Sequence, residues 1–215
     1  MPLKLYFHPL ASYCHKALIA LYENDTAFEP HIVDLGDPGQ AAAFKAMWPI
    51  GKFPVLHDED NGRVIPESSI IIEYLDQYRP GRTRFVPAEP ERAQEVRLRD
   101  RFFDLYVHEP MQKIVTDKLR PAEQNDGFGV QQARARLKTA YDMIEKDMAS
   151  RSWAIGDAFT MADCAAAPAL FYADKVMPFT PTHKNIAAYF NRLQERPSYA
   201  RVLKEAQPYF AMFPG

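Results

Sequence analysis

Glu67 and Ser68 are two polar residues at the start of a predicted helix, where they could bind a charged ligand. A carboxylate in this place can pair with an ammonium group, and a hydroxyl and a backbone amide at a helix N-terminus can hold a carboxylate. Lys52 can add a cationic contact. The simpler interpretation is that Ser68 only caps the helix and that Glu67 is only a favourable charge in its first turn.

A second set of reactive side chains, Ser12, Tyr13 and Cys14, lies where the first predicted strand leads into the first predicted helix. Ser12 can cap this helix. Cys14 shares the apolar stripe of the helix with Leu18 and Leu21. This spacing indicates a small buried hydrophobic residue before it indicates a reactive thiol.

Hydrophobic periodicity predicts the elements that position both sets. Residues 3–8 alternate between apolar and polar side chains, which is typical of a half-buried strand. The helix that follows and a second short strand at residues 29–34 predict a right-handed parallel βαβ unit. Residues 54–57 and 63–65 flank a glycine-containing turn and predict an antiparallel hairpin, which a helix from Ser68 follows. This order of elements on a mixed four-stranded sheet is the thioredoxin-like layout.

The remainder of the chain has helical patterns instead of strand patterns. Residues 98–115 fit one long helix, and Thr160 and Asp163 match a capping box, from which we expect no chemistry. We therefore predict an α/β N-terminal domain at residues 1–80, a proline-containing linker at 81–90 and an all-α C-terminal domain at 91–215.

Composition excludes several classes of protein. The 215 residues are 47% hydrophobic and 25% charged, which suffices for a buried core. The net charge of −2 lacks the concentrated basic surface of a nucleic-acid binder. Two distant cysteines form neither a disulfide framework nor a metal-ligand cluster, which suits the cytoplasm. We see no secretory signal, and the longest apolar run, residues 164–173, is shorter than the roughly 20 residues of a membrane span.

Three motifs in order resemble the cytosolic glutathione S-transferase family over the whole chain. They are Lys52-Phe53-Pro54-Val55-Leu56, Pro66-Glu67-Ser68-Ser69-Ile70 and Gly156-Asp157-Ala158-Phe159-Thr160-Met161-Ala162-Asp163. The chain looks like a bacterial-type member without an assigned class. Two features depart from common family patterns. Trp48-Pro49 stands where many relatives have Asn-Pro, and the segment from Ser12 to His15 matches no single class motif.

The resemblance implies a binding site for glutathione in the N-terminal domain. Glu67 would pair with the ammonium group of the tripeptide, while Ser68 and Lys52 would meet its carboxylates. The Phe53–Pro54 peptide bond would be cis, with the backbone of Phe53 paired to the cysteinyl unit of glutathione like an added strand. A trans proline at the start of an edge strand is the alternative.

The resemblance also implies that a residue near the first helix stabilises the glutathione thiolate. Lowering a thiol pKa by two units from about 8.5 requires roughly 2.7 kcal/mol, which suits one hydroxyl donor at a helix N-terminus. Ser12 is our first candidate, and Cys14 and Tyr13 follow. Tyr6 could imitate the tyrosine-type members, although its strand already explains it as structure.

The implied activity is the transfer of glutathione to a hydrophobic electrophile, with glutathione as co-substrate and no metal or tightly bound cofactor. The partners would be these two small molecules and a second copy of the chain in a homodimer, with no nucleic acid and no membrane. The electrophile pocket would draw on the first loop and the fourth helix, through His8, Pro9, Leu10, Phe102, Phe103, Tyr106 and His108.

Two other functions stay open at this stage. If Cys14 contacts the glutathione sulfur, the protein would form a mixed disulfide and act as a thiol transferase or disulfide reductase. The same fold could also serve a glutathione-binding protein without turnover, because fold does not fix function.

Overall fold

The computed structural model describes residues 3–214, and a mixed four-stranded sheet forms the centre of its first half, as predicted. The strands are β1 (Leu3–Phe7), β2 (Phe28–Ile32), β3 (Val55–Asp58) and β4 (Arg63–Pro66), in the spatial order β2-β1-β3-β4. β1 and β2 are parallel, while β3 is antiparallel to both β1 and β4. The helices are α1 (Ser12–Glu23), α2 (Pro38–Met47) and α3 (Ser68–Tyr78).

The second half is mostly helical, as predicted. Its α-helices are α4 (Pro90–Phe102), α5 (Glu109–Lys118), α6 (Gly127–Asp147), α7 (Met161–Val176), α8 (Lys184–Glu195) and α9 (Pro197–Ala206). A π-helical turn, Phe103–His108, joins α4 to α5, and a 3₁₀ segment, Gln207–Met212, follows α9. Two isolated β-bridges occur in the turn before α7.

One continuous hydrophobic core joins the two halves. Leu3, Leu5 and Phe7 of β1 belong to the same buried cluster as the apolar residues of α1 and α7. α1 packs against α3, α7 and α9, so the helix that begins at Ser12 is held from both halves. α7 is buried along almost its whole length. Neither α7 nor any other helix in residues 3–214 is long and apolar enough to cross a membrane.

The N-terminus of α7 confirms the predicted capping box. The carboxylate of Asp163 accepts hydrogen bonds from the backbone N–H of Thr160 at 2.8 Å and from its hydroxyl at 3.1 Å. The same buried carboxylate accepts from the N–H of Ala154 at 2.8 Å and from the hydroxyl of Tyr189 at 2.6 Å. Asp163 therefore fixes the turn before α7 and the neighbouring helix α8 together.

The structure corrects two predicted helix caps. Ala11 occupies the N-cap position of α1, and Ser12 is the first helical residue. Glu67 likewise occupies the N-cap position of α3, and Ser68 follows it inside the helix. No side-chain capping hydrogen bond is present at either position. The hydroxyl of Ser12 is therefore not used to cap its own helix.

The predicted single helix at residues 98–115 is wrong in its middle, where the π-helical turn interrupts it. Pro110 explains the interruption, because it has no N–H to donate and its ring crowds the carbonyl four residues earlier. The division into two domains by a linker at residues 81–90 stays a prediction. Residues 1, 2 and 215, at the outer ends of the two predicted domains, lie outside the described residues. In the described part, α3 ends at Tyr78 and α4 begins at Pro90.

Candidate functional site

Two adjoining cavities lie where the two halves meet. The smaller, of about 170 Å³, is lined by Tyr13, Lys52, Phe53, Pro54, Glu67, Ser68, Arg101, Asp104 and Leu105. The larger, of about 770 Å³, shares Tyr13, Lys52, Phe53 and Leu105 with it and also contains Ser12. The structure thus brings together all five residues that the sequence suggested for glutathione. It also adds Arg101 and Asp104, which the sequence analysis missed.

The smaller cavity offers unpaired backbone groups beside its charged side chains. The Phe53–Pro54 bond is cis, as expected from the resemblance. Within residues 3–214, neither the N–H nor the C=O of Phe53 forms a hydrogen bond. Glu67 has a left-handed φ of 70°, a conformation that non-glycine residues hold mainly where the surroundings fix it, often at functional sites. Since no side chain caps α3, the N-terminal amides beside the buried Ser68 can receive an anion.

Ser12 stands at the boundary between α1 and the larger cavity. Its side chain belongs to the lining although the residue is only 9% exposed. Among the described residues, no group accepts a hydrogen bond from its hydroxyl. An anion held in the cavity could therefore receive this hydrogen bond together with the positive end of the α1 dipole.

Cys14 lies in the hydrophobic core and is 0% exposed. Burial in apolar surroundings raises the pKa of its thiol, which disfavours the thiolate. The structure does not bring Cys14 into either cavity. The other cysteine of the chain, Cys164, is also buried, and neither thiol forms a disulfide.

The two tyrosines considered for thiolate stabilisation, Tyr13 and Tyr6, lie in different parts of the structure. Tyr13 lines both cavities, and its ring centroid lies 4.3 Å from that of His108. Burial raises the pKa of the Tyr13 phenol, so its hydroxyl stays protonated at neutral pH. Tyr6 instead stacks on His31 at 4.9 Å in the layer beneath α2. It lies outside both cavities.

The larger cavity contains His8, Leu10 and His108, as the sequence suggested for an electrophile pocket. The other suggested residues lie elsewhere. Phe102 and Phe103 are buried in the core, and Tyr106 is exposed outside the lining. The carbonyl of Pro9 faces inward, where it accepts a 2.6 Å hydrogen bond from Nε2 of His15.

The helical half lines the larger cavity mostly with other residues of the segment 98–115 than the sequence suggested. This wall consists of Leu105, His108, Glu109, Met111, Gln112 and Val115. These residues recur at helical spacing and therefore share one face of the segment. Counting this spacing from Leu105 instead of Phe102 would have predicted the wall. Tyr172, Met212, Phe213 and Pro214 complete it without any local sequence signal. The ring of Phe213 packs 5.1 Å from that of Tyr172, which holds the C-terminal segment over the cavity.

His108 is a buried titratable group in this wall. Desolvation lowers its pKa to about 4, and the nearby ammonium of Lys16 acts in the same direction. The imidazole is therefore neutral at physiological pH. A neutral ring gives the larger cavity an apolar wall with one hydrogen-bonding edge.

Comparison with known families agrees with this architecture. A family model described as the N-terminal domain of glutathione S-transferase matches residues 5–83. A second, described as the C-terminal domain of glutathione S-transferase, matches residues 127–192. The chain belongs to the glutathione S-transferase family.

Individual relatives are distant. The chain is 32% identical over 145 residues to the glutathione S-transferase-like protein LUC7 of Fusarium sp, an alignment that covers 66% of this chain and 63% of that protein. It is 27% identical to the stringent starvation protein A homolog of Coxiella burnetii, over 94% of this chain and 92% of the relative. The glutathione S-transferase of Methylobacillus flagellatus, solved with glutathione bound, has the same fold. That comparison gives a TM-score of 0.85 at 22% identity and covers 93% of this chain and 98% of the other.

Proposed function

We propose that the protein is a glutathione transferase that activates the glutathione thiol for attack on hydrophobic electrophiles. The observation that carries the proposal is the smaller cavity, in which Lys52, Phe53, Pro54, Glu67 and Ser68 converge. Glutathione has one ammonium and two carboxylates, and this lining supplies a carboxylate, an ammonium group and a helix N-terminus. The tripeptide would lie there with its sulfur toward the larger cavity.

Ser12 is the group that we propose for thiolate stabilisation. It lines the cavity that adjoins the tripeptide site, and its hydroxyl is free of internal hydrogen bonds within residues 3–214. A charge-assisted O–H···S⁻ hydrogen bond at a helix N-terminus would favour the ionised sulfur. The electrophile would enter the apolar larger cavity, beside Leu105, Met111 and Val115.

The experiment that tests the tripeptide site is a change of Glu67 to Gln. We expect the KM for glutathione to rise about tenfold, because the ammonium loses a charged partner, with kcat changed much less. Steady-state kinetics with an aryl halide would measure both constants, and retention on immobilised glutathione would report binding directly. Glu73→Gln is a matched control, because Glu73 lies on the same helix but pairs with Arg97 outside both cavities. An unchanged KM in Glu67→Gln would contradict the site.

A glutathione-binding protein without turnover is the second candidate function. The lining of the smaller cavity supports it, because Lys52, Glu67 and Ser68 would hold the tripeptide whether or not its sulfur reacts. Calorimetric titration with glutathione beside a panel of electrophiles decides between the two. Micromolar binding with no turnover on any electrophile would support the second candidate.

A thiol transferase dependent on Cys14 has less support, because the thiol is buried away from both cavities. Intact-mass spectrometry after treatment with oxidised glutathione provides the test. A dithiothreitol-reversible adduct on Cys14 under native conditions would revive this function.

Our proposal extends to detoxification in the cytoplasm, where glutathione is kept reduced, and to a homodimer. Exposed apolar side chains on α3, α4 and the π-helical turn support an association surface, namely Ile70, Leu98 and Tyr106. Light scattering coupled to gel filtration would give the mass. A monomer at micromolar concentration would contradict the dimer.

A further inference from the structure

A cluster of charged side chains is buried between the two halves, directly behind the smaller cavity. Lys16 of α1 is 1% exposed. Its Nζ lies 2.6 Å from Oδ1 of Asp100 in α4 and donates to Oδ2 of Asp104 in the π-helical turn at 2.9 Å. It also donates to Oγ of Ser69 in α3 at 2.9 Å. One ammonium group thus contacts three elements that meet at the cavity.

Arg101 connects this cluster to the cavity. Its side chain is 50% exposed and belongs to the cavity lining together with Asp104. Nε and Nη2 donate to Oδ2 of Asp100 at 3.2 and 2.9 Å, and Nη2 also contacts Asp104 and Ser69. No group in residues 3–214 accepts a hydrogen bond from Nη1. The guanidinium is therefore fixed on one edge and retains a donor for another acceptor.

The position of Arg101 matches one end of glutathione. The lining of the smaller cavity includes Glu67, Ser68, Arg101 and Asp104, none of which reaches the larger cavity. Both signs of charge at this end complement an amino-acid zwitterion, which only the γ-glutamyl unit of glutathione carries. Lys52 lines both cavities and so lies nearer the sulfur and the other end of the tripeptide.

A buried ion cluster of this kind is costly to form. Desolvation of each charge must be offset by its partners, and apolar residues of similar size often replace such clusters without loss of stability. The arrangement here orients a cation whose free edge is available to a ligand. A role in positioning explains the buried charges better than stability alone does.

Building on the proposed function, we propose that Arg101 binds the α-carboxylate of the γ-glutamyl unit and that Lys16 is a positioning residue. Lys16 would hold Arg101 through Asp100, Asp104 and Ser69. Because Lys16 lies on α1, this contact would couple tripeptide binding to the helix that carries Ser12.

The first experiment separates the two carboxylates of glutathione. Calorimetry would compare glutathione with its glycine monoethyl ester, which lacks the glycine carboxylate but keeps the γ-glutamyl one. We expect Arg101→Gln to weaken the binding of both ligands by the same factor, about 10- to 100-fold, since a charge-assisted hydrogen bond from Nη1 is lost. Arg97→Gln is the control, because Arg97 lies on the same helix and pairs with Glu73 outside the cavity.

Two results would overturn the assignment of Arg101. One is wild-type affinity in Arg101→Gln, and the other is a loss for glutathione without a loss for the ester. A wild-type protein that binds neither ligand contradicts the proposed function itself. Wild-type binding that Arg101→Gln leaves unchanged contradicts only this inference.

The second experiment tests Lys16 through its coupling to Arg101. We expect Lys16→Met to weaken glutathione binding, and the double variant with Arg101→Gln to bind no more weakly than Arg101→Gln alone. Ser69→Ala keeps every charge and removes only the bridging hydroxyl, so it serves if Lys16→Met folds poorly. We expect it to weaken binding about 3- to 10-fold, and to add nothing in the background of Arg101→Gln. Fully additive losses, or no loss in Ser69→Ala, would overturn the positioning role.

Discussion

Ser12 and Cys14 stand two positions apart on one helix, yet they have opposite environments. Successive helical residues are rotated by about 100°, so residues two apart face nearly opposite sides. Ser12 therefore meets the cavity while Cys14 meets the core. The Ser12 hydroxyl is therefore accessible to a ligand in the cavity, and the Cys14 thiol is not.

We predict that Ser12→Ala lowers kcat by about 10- to 1000-fold, because the glutathione thiolate would lose the proposed hydrogen bond from the Ser12 hydroxyl. The KM for glutathione should change little. The thiol pKa of bound glutathione, followed by ultraviolet absorbance of the thiolate, should rise by one unit or more. A variant with the wild-type thiol pKa would exclude Ser12 from activation and turn attention to Tyr13.

Cys14→Ala is the matched substitution on the buried side of the same helix. We expect kcat to stay within about twofold of wild type, while the free energy of unfolding falls by about 1 kcal/mol from the small cavity created. Urea denaturation and steady-state kinetics on one preparation measure both. A large loss of kcat with intact stability would restore Cys14 as a catalytic candidate.

The start of α7 depends on the buried carboxylate of one residue, Asp163. The Asp163 carboxylate accepts four hydrogen bonds, from Thr160, Ala154 and Tyr189. Each donor is buried, so none can turn to water if the carboxylate is removed. The element and its neighbours depend on this one side chain.

We predict that Asp163→Ala lowers the free energy of unfolding by about 3 kcal/mol or more, since it leaves several buried donors unpaired. Asp157→Ala in the same sequence motif should cost less than about 0.5 kcal/mol, because Asp157 is exposed. Thermal or urea denaturation compares the two. Equal losses would mean that the network around Asp163 contributes little.

Elements with a repeated pattern could be predicted from the sequence, whereas the junctions between them could not. The alternation in β1 and the Thr160–Asp163 spacing predicted those elements directly. The π-helical turn was missed because helical spacing continues through Phe102 and Phe103, and only Pro110 marks the change. As a result the predicted pocket used the wrong stripe of that segment. Arg101 was missed as well, because a charged residue on a helix usually faces solvent.

At the scale of the whole molecule, two buried histidines make stability depend on pH. His15 and His108 each have a pKa lowered to about 4, chiefly because burial removes water from the charged ring. In the unfolded chain a histidine titrates near 6.5. Between these values the unfolded state binds more protons, so the free energy of unfolding falls as the pH falls through this window.

We predict a loss of about 1–2 kcal/mol for each of the two histidines between pH 7 and pH 5. Urea denaturation of the wild type and of His108→Gln at both pH values tests this. The variant should lose less stability than the wild type over the same interval, by about the contribution of one histidine. An identical pH dependence in the two proteins would show that folding does not lower the pKa of His108.

The overall architecture could be predicted from sequence because three local motifs each carry a recognisable element. The walls of the cleft could not, because they join residues that are distant along the chain. Tyr172 and Phe213 pack together over the larger cavity only after α7 and the C-terminal segment have folded. No local pattern records that contact.

The burial of both thiols has a practical consequence. Electrophiles gathered in the cleft would alkylate any accessible cysteine of the protein, yet Cys14 and Cys164 are 0% exposed. Because only transient opening of the core frees these sulfurs, their labelling by a maleimide would time that opening. Labelling of the two cysteines would therefore report the rate of core opening, and alkylation of the protein by electrophiles in the cleft should be slow.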